Sequence, residues 1–385
     1  MIARRRPRGL RAGGAVLAVA AGGVLAAACG GGAPAAVSTT TTTTLPPLPP
    51  AVVAYVTRIG AGATIGSGDT VVPVDVTAGS GTGPAAAIRV GAFPDAIAVA
   101  PGGKVVYVTS YTTDTVTPID VSSGKALPPI RAGRGPAGIA ITPDGRRAYV
   151  TDAGSSPIGD TVTPIDLATR KVLAPITVGS GPQGIAITPD GATAYVADAG
   201  AIVNGQVGPV GDTVTPIDLA TGKALAPITV GNAPTAVAVA PDGTAVYVAN
   251  ASSGSVTPIP VGSGAAGTPI PLNGSPQALA FAGAKSSTLY VAVAPSGVAS
   301  GGTLTPVSVA TGRSGAPTSV CKSPAGVAIT GRTAWVTCVS SGRIVPVDLV
   351  THAAGPPIAV GAGPYAIALA TRPQGTAAPT TTAAG

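Results

Sequence analysis

Seven times along this chain an aromatic residue stands directly before valine: Tyr55, Tyr107, Tyr149, Tyr195, Tyr247, Tyr290 and Trp335. Seven times a proline sits inside a phrase like Thr-Val-Thr-Pro-Ile-Asp, at Pro73, Pro118, Pro164, Pro216, Pro258, Pro306 and Pro346. Seven times another proline opens a phrase like Gly-Ile-Ala-Ile, at Pro94, Pro136, Pro182, Pro234, Pro276, Pro324 and Pro364. A tandem repeat in register restricts a fold more than any local propensity does, because each unit buries its apolar face against the next copy of itself.

The unit from Pro136 to Gly179 reads as four short strands. Gly138–Ile141 is the first, closed by the turn Pro143-Asp144-Gly145, in which proline presets φ and glycine accepts a positive one. Arg147–Val150 is the second, Thr161–Asp166 the third and Lys171–Val178 the fourth. Proline in an interior strand removes a ladder hydrogen bond, so the recurring third-strand proline predicts a fixed bulge, while Pro175 and Pro227 suit an outer edge. Composition agrees with strands: 55 Gly, 40 Pro, one Met and no Glu among the 15 acids leave few good helix formers. With 45 % apolar and 10 % charged residues the chain is also unlike a disordered one. Helical bundles, Rossmann domains and TIM barrels are excluded. Four strands in a unit of about 42 residues make a propeller blade.

Pro-Asp-Gly, then Tyr-Val-Ala/Thr-Asp/Asn, then Thr-Val-Thr-Pro-Ile-Asp-Leu-Ala-Thr-Gly-Lys and Pro-Ile-Thr-Val-Gly, resembles the YVTN-type β-propeller repeat of bacterial surface proteins over Val52 to Thr371. The resemblance implies a fold and an envelope location, and it implies no particular activity. The first unit lacks a first strand, and Pro364–Ala370 is a first strand with nothing after it. Joined, they give an all-β, seven-bladed propeller of four-stranded antiparallel blades, closed by a carboxyl-terminal strand that completes blade one and removes the edges an open array would leave.

Residues 1–28 read as a secretory signal, with Arg4, Arg5, Arg6, Arg8 and Arg11 before a short apolar segment. Leu25-Ala26-Ala27-Ala28-Cys29 resembles a lipoprotein box, which implies acylation of Cys29 and an anchor on the outer face of the cell membrane. Residues 29–51, with six consecutive threonines and Leu-Pro-Pro-Leu-Pro-Pro, form a tether. The propeller is expected over 52–371 and a structureless tail over 372–385. Removing the leader takes the formal charge from +7 to +2 and leaves scattered basic residues, so no phosphate-neutralising stripe remains and nucleic acid is not expected as a partner.

Spacing locates a candidate site. First-strand proline to aromatic is 13 residues in four of six cases, and third-strand proline to the next first-strand proline is 18 in six of seven. The connection from second to third strand carries the variation: aromatic to third-strand proline runs 18, 11, 15, 21, 11, 16 and 11 residues. Those insertions share one face of a ring, and such a face commonly binds a partner. It carries Arg58, Asp69, Asp152, Asp160, Asp198, Asn204 and Asp212. A Ca²⁺ site between blades three and four is conceivable from these oxygens, but local Asx capping of turns accounts for them more simply. No metal or cofactor is therefore expected. Cys321 and Cys338 flank one hairpin in loops on the same face, and in an exported chain they are expected to pair. The propeller hydrolases and lactonases that this fold resembles rely on His, Glu and metal clusters, whereas this chain has no Glu and one His, His352, on the opposite rim. The expectation is a monomeric, non-catalytic scaffold that recognises an envelope protein or glycan. The alternatives are a propeller enzyme and a purely structural envelope protein.

Overall fold

In the third repeat, strands Pro136–Ile141 and Arg147–Asp152 meet at the turn Pro143-Asp144-Gly145. Gly145 has φ 71° there, a left-handed backbone that glycine adopts without steric penalty. Asp144 Oδ1 accepts from the Arg146 amide and the Thr142 hydroxyl and so closes the loop. The chain returns as Thr161–Asp166, where Asp166 Oδ1 accepts from the amide and hydroxyl of Thr169 and turns it outward. The computed structural model describes residues 50–372 apart from 61–67, 78–83, 155–157, 204–205, 284–285 and 296–300. It repeats this meander in seven antiparallel sheets, with no α-helix among the described residues. The inner strands pack side by side around an axis. Pro364–Arg372 touches both Pro324–Thr330 and Pro94–Val99, which closes the ring into a seven-bladed β-propeller. The closing strand pairs antiparallel with Ala51–Arg58, from Ala51 opposite Arg372 to Arg58 opposite Pro364, one residue beyond the expected boundary at the Ala51–Arg372 end.

The third-strand prolines make no bulge. Tyr149 lies opposite Pro164 in an unbroken register, and the ladder runs through the equivalent proline in all seven blades. The Leu173 amide donates to the Pro164 carbonyl at 2.9 Å, on the outer side of the strand. In an extended residue the nitrogen and the carbonyl face the same neighbour, so the proline nitrogen also faces outward. There the expected fourth strand is split into Lys171–Val172 and Ile176–Thr177, with Pro175 in the gap. No ladder bond is lost, which is why proline is tolerated. The irregular register lies one strand further in: every pairing of first with second strand shifts just after the first-strand proline.

At that bulge a threonine ties blades together. Thr109 Oγ1 accepts from the Ala96 amide at 2.8 Å and donates to the Ala137 carbonyl of the next blade at 2.7 Å. Thr151 and Thr337 repeat the bridge to Gln183 and Tyr365. The apolar cores also lie between blades. Seven clusters each combine the repeat aromatic of one blade with strands of the next, as Tyr149 does with Ile185, Val196 and Ile217. The seven aromatics are 0 to 8 % exposed, and each anchors one wedge of the ring.

Candidate functional site

The residue three beyond each aromatic enters the joint with the preceding blade. The Gly91 amide donates to Ser110 Oγ at 3.1 Å. A Cβ built on Gly133, Gly179 or Gly231 would lie 2.1–2.8 Å from a side-chain carbon of Asp152, Asp198 or Asn250 respectively, so these linkers need glycine, while Gly361, beside the guanidinium of Arg58, is held to glycine by its φ of 93°. Asp152 and Asp198 are 2 % exposed. Their Oδ2 atoms accept from Thr161 and Thr163, and from Thr213 and Thr215, on the third strand. Burial pushes both carboxyls up to about 6 against the opposing effect of those hydroxyls. In blade five the fully buried Asn250 donates through Nδ2 to Ser255 and Thr257. These side chains bond across the blade rather than capping their own turns, because the strand aims them into the joint. Asp114 likewise receives the amide of Gly135, 21 residues away.

Between blades six and seven the same two slots hold Cys321 and Cys338, joined by a disulfide with Cα atoms 6.0 Å apart. Both are strand residues of different blades, Cys321 ending Thr318–Cys321 and Cys338 ending Thr333–Cys338, rather than loop residues around one hairpin. Aligning the repeats shows the signal: Cys321 stands where Val-Gly has its glycine, and Cys338 where Tyr-Val-Thr-Asp has its aspartate.

The expected insertion-face residues therefore do not converge. Asp152 and Asp198 are inside joints, and Arg58 is half-buried against Gly361. Asp69 pairs with Arg89 at 3.1 Å in an exposed bridge. Asp160 and Asp212 are exposed, with carbonyls that accept from Val178 and Val230. Asn204 and Cys29 lie outside the described residues. Among the described residues no three acid, His or Cys groups gather. The blade-four insertion continues the ladder, as strands Thr193–Val203 and Gln206–Asp218 pair from Asp218 out to Gln206. The dipeptide Asn204-Gly205, after Ile202-Val203 and before Gln206-Val207, is the sequence signal for such a hairpin.

A second feature of that face escaped the spacing argument. The residue after each first-strand proline varies, as Asp95, Ala137, Gln183, Thr235, Gln277, Ala325 and Tyr365, and is followed by Ala or Gly in every blade. These residues, at the bulge, line a cavity of about 230 Å³ on the ring axis. Inner strands begin where the blade-to-blade linkers arrive, so the cavity opens on the insertion face. Asp95 is its one charged group among the described residues. Every other aspartate serves a repeated slot: four precede Thr-Val, five end third strands, three sit in Pro-Asp-Gly turns, and Asp152 and Asp198 fill joints. Asp95 keeps part of its surface open to the cavity but is hemmed in by the inner strands, and burial pushes its carboxyl up to about 7. Its charge, followed by burial, raises the Tyr365 hydroxyl above its ordinary value.

No protein-family model matches the chain, and no curated protein matches it. Solved structures share its fold. Kuenenia stuttgartiensis hydrazine synthase superposes with TM-score 0.62 at 21 % identity over 71 % of this chain and 88 % of the other. Apo AztD from Citrobacter koseri gives 0.57 at 14 % identity over 86 % and 100 %. A Bacteroides uniformis protein provisionally assigned as a 6-phosphogluconolactonase gives 0.64 at 15 % over 84 % and 100 %. At these identities the likeness is one of β-propeller architecture alone.

Proposed function

We propose that the protein is a non-catalytic binding scaffold, held by a lipid on Cys29 at the outer face of the cell membrane, and that an envelope protein or glycan docks on its insertion face. What supports this is where the chain departs from its own repeat. Third-to-fourth-strand turns and blade-to-blade linkers keep nearly constant lengths, while second-to-third connections vary by up to ten residues. Blade four uses its extra length to extend a paired hairpin beyond the common ladder. Length that no blade needs for packing is available for recognition. Hydrolysis is the weaker reading because, among the described residues, no His, Cys or second carboxylate lines the axial cavity beside Asp95.

The test is to shorten residues 154–159 and 200–211 to the 11-residue spacing of blade five, and to compare capture of envelope components by the parent and the trimmed chain. The trimmed chain is expected to melt as the parent does and to lose its partner. Undiminished capture by a folded trimmed chain favours another face, and no capture by either favours a purely structural role. For the anchor, Cys29→Ala is expected to abolish lipid labelling and to release the protein from membranes without detergent. Unchanged retention would remove the anchor from this reading.

A further inference from the structure

We propose that the channel mouth binds a small organic cation, a primary ammonium on a short aliphatic body, with Asp95 as its counter-ion. The inference does not depend on what docks at the rim. Asp95 is the sole acid outside the repeated slots, and no hydrogen bond or ion pair is formed by its carboxylate among the described residues. An enclosed carboxylate without a donor is costly unless a cation or a proton joins it. Among the described residues no Lys, Arg or His lines the cavity to act as that partner.

The remaining polar lining is neutral, with the Gln183 amide and Tyr365 hydroxyl beside the acceptors of Gln277 and Thr235. Gln277 commits its Nε2 to the carbonyl and hydroxyl of Ser275, which leaves its Oε1 to accept. Thr235 Oγ1 is buried with no partner of its own. A divalent metal ion needs six or more oxygen ligands, several of them ordinarily carboxylates, whereas one carboxylate matches one positive charge. Tyr365 also lines the cavity, and an aromatic ring attracts an ammonium that reaches its face. Ile97 and Ile367 give apolar wall for methylene groups. At about 230 Å³ the space falls below the range of drug-sized pockets, which limits the occupant to the size of a small metabolite.

The test uses n-butylammonium as the probe and the full chain, followed by amide NMR, with butan-1-ol as the uncharged isostere. Saturable shifts are expected on the inner strands of blades one and two with butylammonium and not with butan-1-ol. Asp95→Asn, checked for an unchanged melting temperature, is expected to weaken binding at least about tenfold, as loss of a desolvated ion pair does. Equal responses to the two probes overturn the proposal, even if the variant fails to fold. So does undiminished binding by a folded Asp95→Asn chain, or absence of saturation by about 100 mM, beyond the weakest specific affinities.

Discussion

Asp152 and Asn250 occupy the same slot in different blades, and the natural asparagine shows that the joint accepts an amide. The aspartate carboxyl titrates near 6 when folded and has an ordinary value of 3.8. Its ionisation therefore opposes folding: the stability it contributes is present below about pH 4, is lost as pH rises to about 6, and does not change above that. Asp152→Asn is expected to raise stability by about 1–2 kcal/mol at pH 8 and to do little at pH 4. Urea melts at the two pH values check this, and equal gains at both would show that the carboxylate is not what weakens the joint. The aspartates that end third strands act in the opposite sense. Ser122 and then Ser123 donate to Asp120, which holds its carboxyl down at about 2. As the same residue type is exposed in one slot and buried in another, composition could not separate the two, and alignment of the repeats with each other does.

Strands were legible in the sequence wherever the repeated phrase was unbroken: the third strand Thr161–Asp166 and the hairpin at Pro143-Asp144-Gly145 follow from alternation and turn chemistry. The place of the bulge was not, because it depends on which neighbour a proline nitrogen faces, and that is a property of three strands in register rather than of one. The disulfide was legible as a pair but not as a joint, since its two residues belong to different blades. Opening it removes a constraint on a 17-residue separation and is expected to lower stability by about 3 kcal/mol in the chain-entropy description. Cys321→Gly with Cys338→Ser installs the Gly91–Ser110 pairing instead. That double variant should melt between the oxidised and the reduced parent. Melting below the reduced parent would mean that the two joints are not equivalent.

The ring as a whole depends on one ladder between distant parts of the chain, Ala51–Arg58 with Pro364–Arg372. Ending the chain at Gly363 exposes the inner edge of blade one and leaves blade seven without its neighbour. Such a chain is expected to aggregate or to melt without a sharp transition. Ending it after Arg372 should leave the transition unchanged, and if both truncations melt alike, closure does not hold the ring. Blade count and closure were readable from the ends of the repeat. The channel mouth was not, because Asp95 and Tyr365 are 270 positions apart in the sequence and meet only once the ring shuts. The same ladder sets an order of events in biosynthesis. The other six blades pair strands that are near in sequence, but blade one must wait, its inner edge unpaired, for the closing strand to appear. A chain that lacks the closing strand thus presents an open sheet edge to proteases and chaperones, so the ring is protected only after its two distant segments have met.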